Sequence, residues 1–248
     1  MNNSKESAEI LISNGADFNA KDNDGWTPLY HAAMHNCKEM AEILISNGAD
    51  INAKTEYGST PLHIAASDYS EETAEILILN GAEINAKDDN GQTPLHIASM
   101  NNIEKTAEIL ISNGADINAK TINGQTPLHI AALHNCKEKA EILISNGADI
   151  NAKACKGYTP LHLASKNNSK ETAEILISNG ADINAKDDVK CTPLHLASKN
   201  NSKETAEILI SNGADINAKD KDGYTPLHIA TKNNNKEIAE ILISNKTK

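Results

Sequence analysis

The chain has 248 residues and a formal net charge of −11, and all 23 of its basic residues are lysines. Binding to a phosphate backbone needs a concentrated basic face, and the bidentate contacts to phosphate and guanine favour arginine, so the composition argues against a nucleic-acid partner. No apolar run reaches the roughly 18 residues of a membrane helix, and the segment from Met1 to Ile10 is too polar for the apolar core of a signal peptide. We therefore expect a cytoplasmic protein without membrane insertion.

The tripeptide Thr-Pro-Leu recurs seven times at a constant spacing of 33 residues. Such a period indicates copies of one supersecondary unit, stacked because no single copy can bury its own apolar face. The copies begin at Thr27, Thr60, Thr93, Thr126, Thr159, Thr192 and Thr225. We predict one array over residues 1–248, with a half repeat at 1–20 and full repeats that begin near residues 21, 54, 87, 120, 153, 186 and 219.

The two ends of the array suggest a piece of something longer. Residues 3–20 match the second half of a unit whose first helix is missing, which leaves Ala8, Leu11 and Ile12 without a neighbour on one side. The segment from Ile238 to Ile243 carries none of the polar substitutions that a terminal capping repeat should have. We expect the chain to be part of a longer array.

Within each copy the pattern predicts two short helices. Thr159, followed by proline, predicts the start of the first helix, because the Thr hydroxyl accepts hydrogen bonds from orphan backbone N–H groups and proline loses none there. Asn167 and Asn168 are expected to end it, since Asn tolerates the left-handed conformation. Ser169 is expected to cap the second helix with its side chain, and Gly180 to end that helix.

The loop before each Thr-Pro-Leu carries a glycine two residues before the threonine in six of the seven copies. The exception is Lys190. A repeated glycine suggests a positive φ angle, which a residue with a Cβ adopts at a cost of roughly 1–2 kcal/mol. We predict that Lys190 is either held left-handed under strain or sits in a reshaped loop, with Asp188, Val189 and Cys191 displaced.

The motif Asp-x-x-Gly-x-Thr-Pro-Leu-His-x-Ala-Ala, then a helix, then Gly-Ala-Asp-Ile-Asn-Ala, resembles the ankyrin repeat over nearly the whole chain. The resemblance implies an all-α repeat solenoid of stacked helix pairs with short β-hairpin fingers. It also implies a concave groove lined by the fingers and first helices. It further implies that the chain recognises other proteins, is not an enzyme and needs no cofactor.

The histidines and cysteines do not form a metal or catalytic pattern. One histidine recurs per layer, so neighbours lie roughly 10 Å apart and cannot share a zinc ion; a bond to loop backbone between layers is predicted instead. These histidines are His63, His96, His129, His162, His195 and His228. Cys37 and Cys136 follow a His-Asn pair and take the cap position of the second helix, which favours a structural role over that of a nucleophile.

Binding residues are expected where the copies differ, because a residue present in every copy cannot mark one site. The first four repeats offer mainly apolar groove residues, and the last three offer lysines flanked by tyrosines. The first half is therefore expected to dock an apolar helix or strand and the second half an acidic segment. The predicted partner-binding residues are Trp26, Met34, His35, Tyr57, Met100, Leu133, His134, Tyr158, Lys166, Lys199, Tyr224 and Lys232.

Two functions of different classes stay open. One is a monomeric, non-catalytic scaffold that binds a protein or peptide through the groove and finger tips. The other is a passive spacer or mechanical segment of a longer protein, in which the lysines arose by unselected sequence drift. Residues 159–187 and 192–220 are identical, which favours recent duplication and hence the second hypothesis.

Overall fold

The computed structural model describes residue 10 and residues 13–67, 70–100 and 104–245. The chain divides into two compact units, residues 1–122 and 123–248. Ala8, Leu11 and Ile12 lie outside the described residues. None of the described helices is long and apolar enough to cross a membrane.

The described part of the first unit contains short helices in pairs, with the bounds α1 Pro28–Met34, α2 Lys38–Ser46, α3 Pro61–Ser67, α4 Glu71–Leu79, α5 Pro94–Ala98 and α6 Glu104–Ser112. The first helices of the pairs, α1, α3 and α5, pack side by side in chain order. The second helices, α2, α4 and α6, form a parallel row in the same order. The unit is thus a stack of helix pairs.

The second unit repeats this arrangement with the bounds α7 Pro127–His134, α8 Lys137–Ser145, α9 Pro160–Asn167, α10 Lys170–Ser178, α11 Pro193–Asn200, α12 Lys203–Ser211, α13 Pro226–Lys232 and α14 Lys236–Asn245. The first helices α7, α9, α11 and α13 pack in chain order, as do the second helices α8, α10, α12 and α14. One turn of 3-10 helix, Cys155–Gly157, lies in the loop before α9.

The core of each unit is built from two columns of leucine. One column follows the Thr-Pro dipeptides on the first helices, and the other lies on the second helices. These side chains are at most 3% exposed: Leu29, Leu44, Leu62, Leu77, Leu95, Leu110, Leu128, Leu143, Leu161, Leu176, Leu194 and Leu209. Burial of one such side chain contributes roughly 1.5–3 kcal/mol, and small residues such as Ala33 and Ala164, both fully buried, let adjacent helices approach.

The first helix of the working unit, α9, starts and ends as predicted. Thr159 precedes α9 in an extended conformation, its hydroxyl oxygen accepts from the backbone N–H of His162 at 3.4 Å, and His162 Nδ1 accepts from the N–H of Thr159 at 3.2 Å. Asn168 ends α9 with a φ of 56°. The reciprocal pair of bonds is a capping box, with histidine at the third helical position.

The second helix is capped differently from the prediction. Ser169 occupies the N-cap position of α10, but its side chain makes no capping hydrogen bond, so that prediction was wrong. Asn135, at the end of α7, accepts the N–H of Thr172 through its Oδ1 at 3.1 Å. In the first unit Asn36 does the same for the N–H of Thr73 at 3.1 Å. Each of these asparagines is left-handed, so one residue ends its own helix and caps a helix of the next repeat.

Tight turns between repeats are held by an aspartate at Asp22, Asp88, Asp187 and Asp220. In the first loop Asp22 donates its N–H to the carbonyl of Trp26 at 3.0 Å, and its Oδ1 accepts the N–H groups of Asp24 and Trp26 at 3.0 and 2.8 Å. No β-strand occurs in the described part of the chain. The helix pairs of the predicted fold are therefore confirmed, and the β-hairpin fingers stay a prediction.

Two polar ladders join neighbouring repeats inside each unit. Lys54 Nζ donates to the carbonyl of Lys87 at 3.3 Å in the first unit, and Lys153 Nζ donates to that of Lys186 at 3.3 Å in the second. The asparagine two residues before each of these lysines accepts a backbone N–H of the next repeat, as Asn151 does for Asp182 at 2.9 Å. The shared Asn-Ala-Lys motif is therefore explained by stacking.

Lys190 adopts the left-handed conformation, with a φ of 61°. Its loop keeps the bonds of the other loops: Asp187 N–H to Cys191 carbonyl at 3.0 Å, and Lys190 N–H to Asp187 carbonyl at 3.0 Å. The predicted left-handed conformation is confirmed and the loop keeps its hydrogen bonds, whereas the strain stays a prediction. Lys156, one loop earlier, also has a positive φ, of 66°.

Candidate functional site

The first predicted site residue, Trp26, packs within its own repeat. Trp26 is half-buried, and its ring packs against Tyr30 and His31 with centroid distances of 5.0 and 5.3 Å. His31 Nε2 lies 3.0 Å from Asp22 Oδ2. The hydrogen bond from the N–H of Trp26 to the Asp22 carboxylate, followed by the contact with His31, lowers the pKa of Asp22. The tryptophan is thus held in place by its own loop and helix.

The other predicted residues of the first unit lie at helix ends and at a loop tip. Met34 ends α1 and is partly buried, and His35 follows it on the surface. Met100 follows α5 and is partly buried. Tyr57 lies at the tip of the second loop with 73% of its surface exposed.

The second unit carries the remaining predicted residues, most of them near the ends of successive first helices and two, Tyr158 and Tyr224, in the loops before them. Leu133 and His134 end α7, with the leucine partly buried and the histidine exposed. The three lysines, Lys166, Lys199 and Lys232, are exposed near the ends of α9, α11 and α13. Each belongs to a different repeat, so they form a row across the first helices of this unit.

A pocket of about 280 Å³ lies between the loops and first helices of the second unit. We call it the groove pocket. It brings together three predicted residues, Tyr158, Lys199 and Lys232. The rest of its lining, which the sequence analysis did not select, is Asp187, Val189, Cys191, His195, Leu196, Asp220, Ile229 and Asn233.

Tyrosines of two loops stand on either side of Cys191. The residue before the conserved threonine is Tyr158 in the fifth repeat, Cys191 in the sixth and Tyr224 in the seventh. The Tyr158 ring stacks on His162 with centroids 5.8 Å apart. Tyr224 lies 5.3 Å below the ammonium group of Lys232, within the range of a cation–π contact. The small cysteine between two tyrosines was visible in the sequence as a change in side-chain size, but nothing there showed that it borders a pocket.

The lysines of the groove pocket are exposed, whereas its aspartates accept hydrogen bonds from the backbone. Lys199 and Lys232 expose their ammonium groups, whereas the Asp187 carboxylate is buried and accepts the N–H groups of Val189 and Cys191 through Oδ1 at 2.9 and 2.7 Å. Oδ1 of Asp220 likewise accepts hydrogen bonds from two backbone N–H groups of its own loop. The lysines are therefore the groups best placed to meet a ligand.

The surroundings of the cysteine in the groove pocket disfavour its reactive form. Burial, followed by the charges of Asp187 and Asp220, raises the pKa of the Cys191 thiol to about 11. The thiolate is the reactive form of cysteine, so the protonated thiol is favoured at neutral pH.

Four of the recurring histidines bond the backbone of the following loop, as predicted: His63, His129, His162 and His195. His63 Nε2 donates to the carbonyl of Gln92 at 3.0 Å, and its Nδ1 accepts from the N–H of Thr60 at 3.2 Å. In the second unit His162 makes the matching bond to the carbonyl of Cys191 at 3.1 Å. Both ring nitrogens are occupied, and burial lowers the pKa of His63 and His162.

The cysteines of the two His-Asn-Cys segments make matching contacts with the main chain. The Sγ atoms of Cys37 and Cys136 lie 3.6 and 3.7 Å from the backbone carbonyls of His35 and His134, respectively, where a thiol donates weakly to the main chain. Both cysteines occupy the N-cap position of a second helix. Burial raises the pKa of Cys136, which further disfavours a thiolate.

The net charge of the chain is confined to the first unit. Residues 1–122 contain 7 lysines and 19 acidic residues, a formal charge of −12, whereas residues 123–248 contain 16 lysines and 15 acidic residues, a charge of +1. The row of groove lysines therefore belongs to a unit with little net repulsion for an acidic ligand.

A family model for ankyrin repeats (3 copies) matches residues 1–88, 52–121, 67–154, 120–187 and 184–248, so the overlapping matches span the whole chain. The regular helix pairs and the Thr-Pro caps agree with this match. The chain belongs to the ankyrin repeat family. A comparison with curated proteins gave no match. Ankyrin repeats generally mediate protein–protein interactions and are generally not enzymes.

Proposed function

We propose that this chain is a non-catalytic protein-binding module whose second unit docks an acidic segment of another protein. The observation that carries the proposal is the groove pocket, because Tyr158, Lys199 and Lys232, selected from the sequence alone, line it together. An aromatic wall and two exposed ammonium groups suit a ligand with both apolar and negatively charged groups.

The row of lysines supports the acidic character of the partner. Lys166, Lys199 and Lys232 are all exposed, and each comes from a different repeat. Exposed single charges contribute little affinity, usually below about 1 kcal/mol each. A row of them gives the association its orientation and its sensitivity to salt.

The test is a charge reversal with a matched control. The groove variant replaces Lys166, Lys199 and Lys232 by Glu, and the control variant replaces three other exposed lysines of the same unit, Lys170, Lys219 and Lys236. Both variants change the net charge equally. We expect a fluorescent glutamate-rich peptide to bind the wild type and the control variant alike, and to bind the groove variant at least tenfold more weakly. Equal loss in both variants would point to bulk charge alone, and absence of binding to the wild type would contradict the proposal.

The spacer function is the second candidate, and the ladders between repeats favour it. The bond from Lys153 to the carbonyl of Lys186, like its counterparts in the first unit, ties successive repeats without using the groove. If the chain is a spacer, we expect neither a glutamate-rich nor a lysine-rich peptide to bind. Substitution of Lys166, Lys199 and Lys232 should then change only the net charge.

We further propose that the module acts as a monomer in the cytoplasm. Cys37, Cys155 and Cys191 form no disulfide in the structure, which supports a reducing compartment. Sedimentation equilibrium at micromolar concentration tests the monomer, for which we expect a mass of 26.6 kDa.

A further inference from the structure

We infer that the groove pocket is an anchor site for one apolar side chain of the docked segment, with carboxylates three residues apart on the partner meeting Lys199 and Lys232. This inference rests on the proposed function and specifies the partner by its chemistry: a polyproline-like acidic peptide with a large apolar residue between two Asp or Glu residues.

The size of Cys191 supports the anchor site. The equivalent loop position holds Tyr158 on one side and Tyr224 on the other. A tyrosine in place of Cys191 would occupy the space that this smaller side chain leaves beside Leu196 and Ile229. We therefore attribute the pocket to Cys191, which is smaller than the tyrosines at the equivalent positions of the adjacent repeats.

The volume and lining match one large side chain. The pocket measures about 280 Å³, and a cavity of about 150 Å³ already holds a benzene molecule. Val189, Leu196 and Ile229 supply apolar surface, and Tyr158 supplies an aromatic wall. Such a pocket gains most from a leucine or an aromatic residue, the kind of buried anchor that dominates many interfaces.

The spacing of the lysines sets the spacing of the partner's carboxylates. Lys199 and Lys232 lie on α11 and α13, which pack directly against each other, and adjacent packed helices are roughly 8–10 Å apart. A polyproline-like chain has three residues per turn and advances about 3.1 Å per residue, so side chains three positions apart point the same way and lie about 9 Å apart. Carboxylates at such positions therefore match the spacing of the two helices, and the anchor residue lies between them in the peptide.

The experiment compares two peptides that differ only at the anchor. Both contain Glu-x-x-Glu, and one has leucine and the other alanine at an intervening position. We expect the wild type to bind the leucine peptide at least tenfold more tightly. Cys191→Tyr should abolish this preference and leave the affinity for the alanine peptide unchanged, whereas the control Cys191→Ser should keep the preference. Lys199→Met with Lys232→Met should weaken the binding of both peptides.

The outcomes separate the inference from the proposed function. Equal binding of the two peptides to the wild type, or a preference that persists in Cys191→Tyr, would overturn the anchor site while acidic docking stands. Absence of binding by either peptide would overturn both. If Cys191→Tyr does not fold, methyl NMR of the wild type decides: the leucine peptide should shift Val189, Leu196 and Ile229 and the alanine peptide should not, and equal shifts would contradict the inference.

Discussion

The two units have the same internal bonds and different surfaces. His63 in the first unit and His162 in the second each bond the carbonyl of the following loop, at 3.0 and 3.1 Å. Asn36 and Asn135 each cap a helix of the following repeat, both at 3.1 Å. Yet the first unit has a formal charge of −12 and the second of +1. The comparison teaches that stacking depends on a small set of buried and bonded positions, which leaves the surface free to diverge.

The groove positions show this divergence most clearly. In the first unit Trp26 packs on its own helix, with Tyr30 and His31. In the second unit the same position holds Gln125, Tyr158, Cys191 and Tyr224 in turn, and a pocket lies beside the cysteine. A difference in side-chain size at one repeated position is therefore enough to create a candidate site without altering the scaffold.

The largest expected effect tests whether the scaffold is equivalent in the two units. His63→Ala and His162→Ala should each lower the free energy of unfolding by about 3 kcal/mol, because each leaves a buried N–H and a carbonyl without a partner. The control His228→Ala, at an exposed position, should cost less than about 1 kcal/mol. Urea unfolding checks this, and a large difference between His63→Ala and His162→Ala would break the equivalence.

The second prediction concerns close approach between loops. A Cβ at Gly58 would lie 2.6 Å from Asp89 Oδ1, and one at Gly157 would lie 2.6 Å from Asp188 Oδ1. Both glycines also have a positive φ, so Gly58→Ala and Gly157→Ala should each destabilise by about 2 kcal/mol. Gly81→Ala, where φ is positive but no atom lies within 4 Å of the Cβ, should cost about half as much. Thermal unfolding of the three variants measures the difference.

The third prediction is a loss of stability in mild acid by both units. Burial lowers the folded pKa of His63, His162 and His195 below the ordinary value of 6.5. Below about pH 6.5 the unfolded chain therefore binds more protons than the folded chain. The contribution of these histidines to the free energy of unfolding is fully present above that pH and is lost as the pH falls towards the folded pKa values. Hydrogen exchange at pH 7 and pH 5.5 should show weaker protection in both units at the lower pH, after correction for the intrinsic rate. Unchanged protection in one unit would show that its histidines tolerate charge.

The smallest expected effect concerns loops of the second unit. Lys156 and Lys190 hold positive φ angles there, whereas the described loops of the first unit place glycines, Gly25, Gly58 and Gly91, at their positive-φ positions. Lys190→Gly should stabilise the chain by about 0.5 kcal/mol, since the relief of roughly 1–2 kcal/mol is offset by the entropy that glycine loses on folding. Lys156→Gly should act in the same direction. A fall in the urea midpoint for both variants would contradict the strain argument.

Local patterns in the sequence were sufficient to predict much of the scaffold. The 33-residue period predicted the helix pairs, Thr159 followed by proline predicted the start of α9, and the glycine missing at Lys190 predicted a left-handed lysine. The role of His162 was also predictable, because a buried polar ring repeated in every layer needs backbone partners. These features depend on residues close together in the chain or on strict repetition.

The amino-acid sequence by itself therefore determined the repeat, the helix starts and the chemistry of the groove positions. The tertiary structure alone decided that Asn135 rather than Ser169 caps α10, because the bond joins residues 37 positions apart. It also decided that Cys191 borders a pocket, since the space depends on how Tyr158 and Ile229, from other repeats, pack around it. A sequence pattern identifies which side chains recur, but the distances between residues of different repeats are set only when the repeats stack.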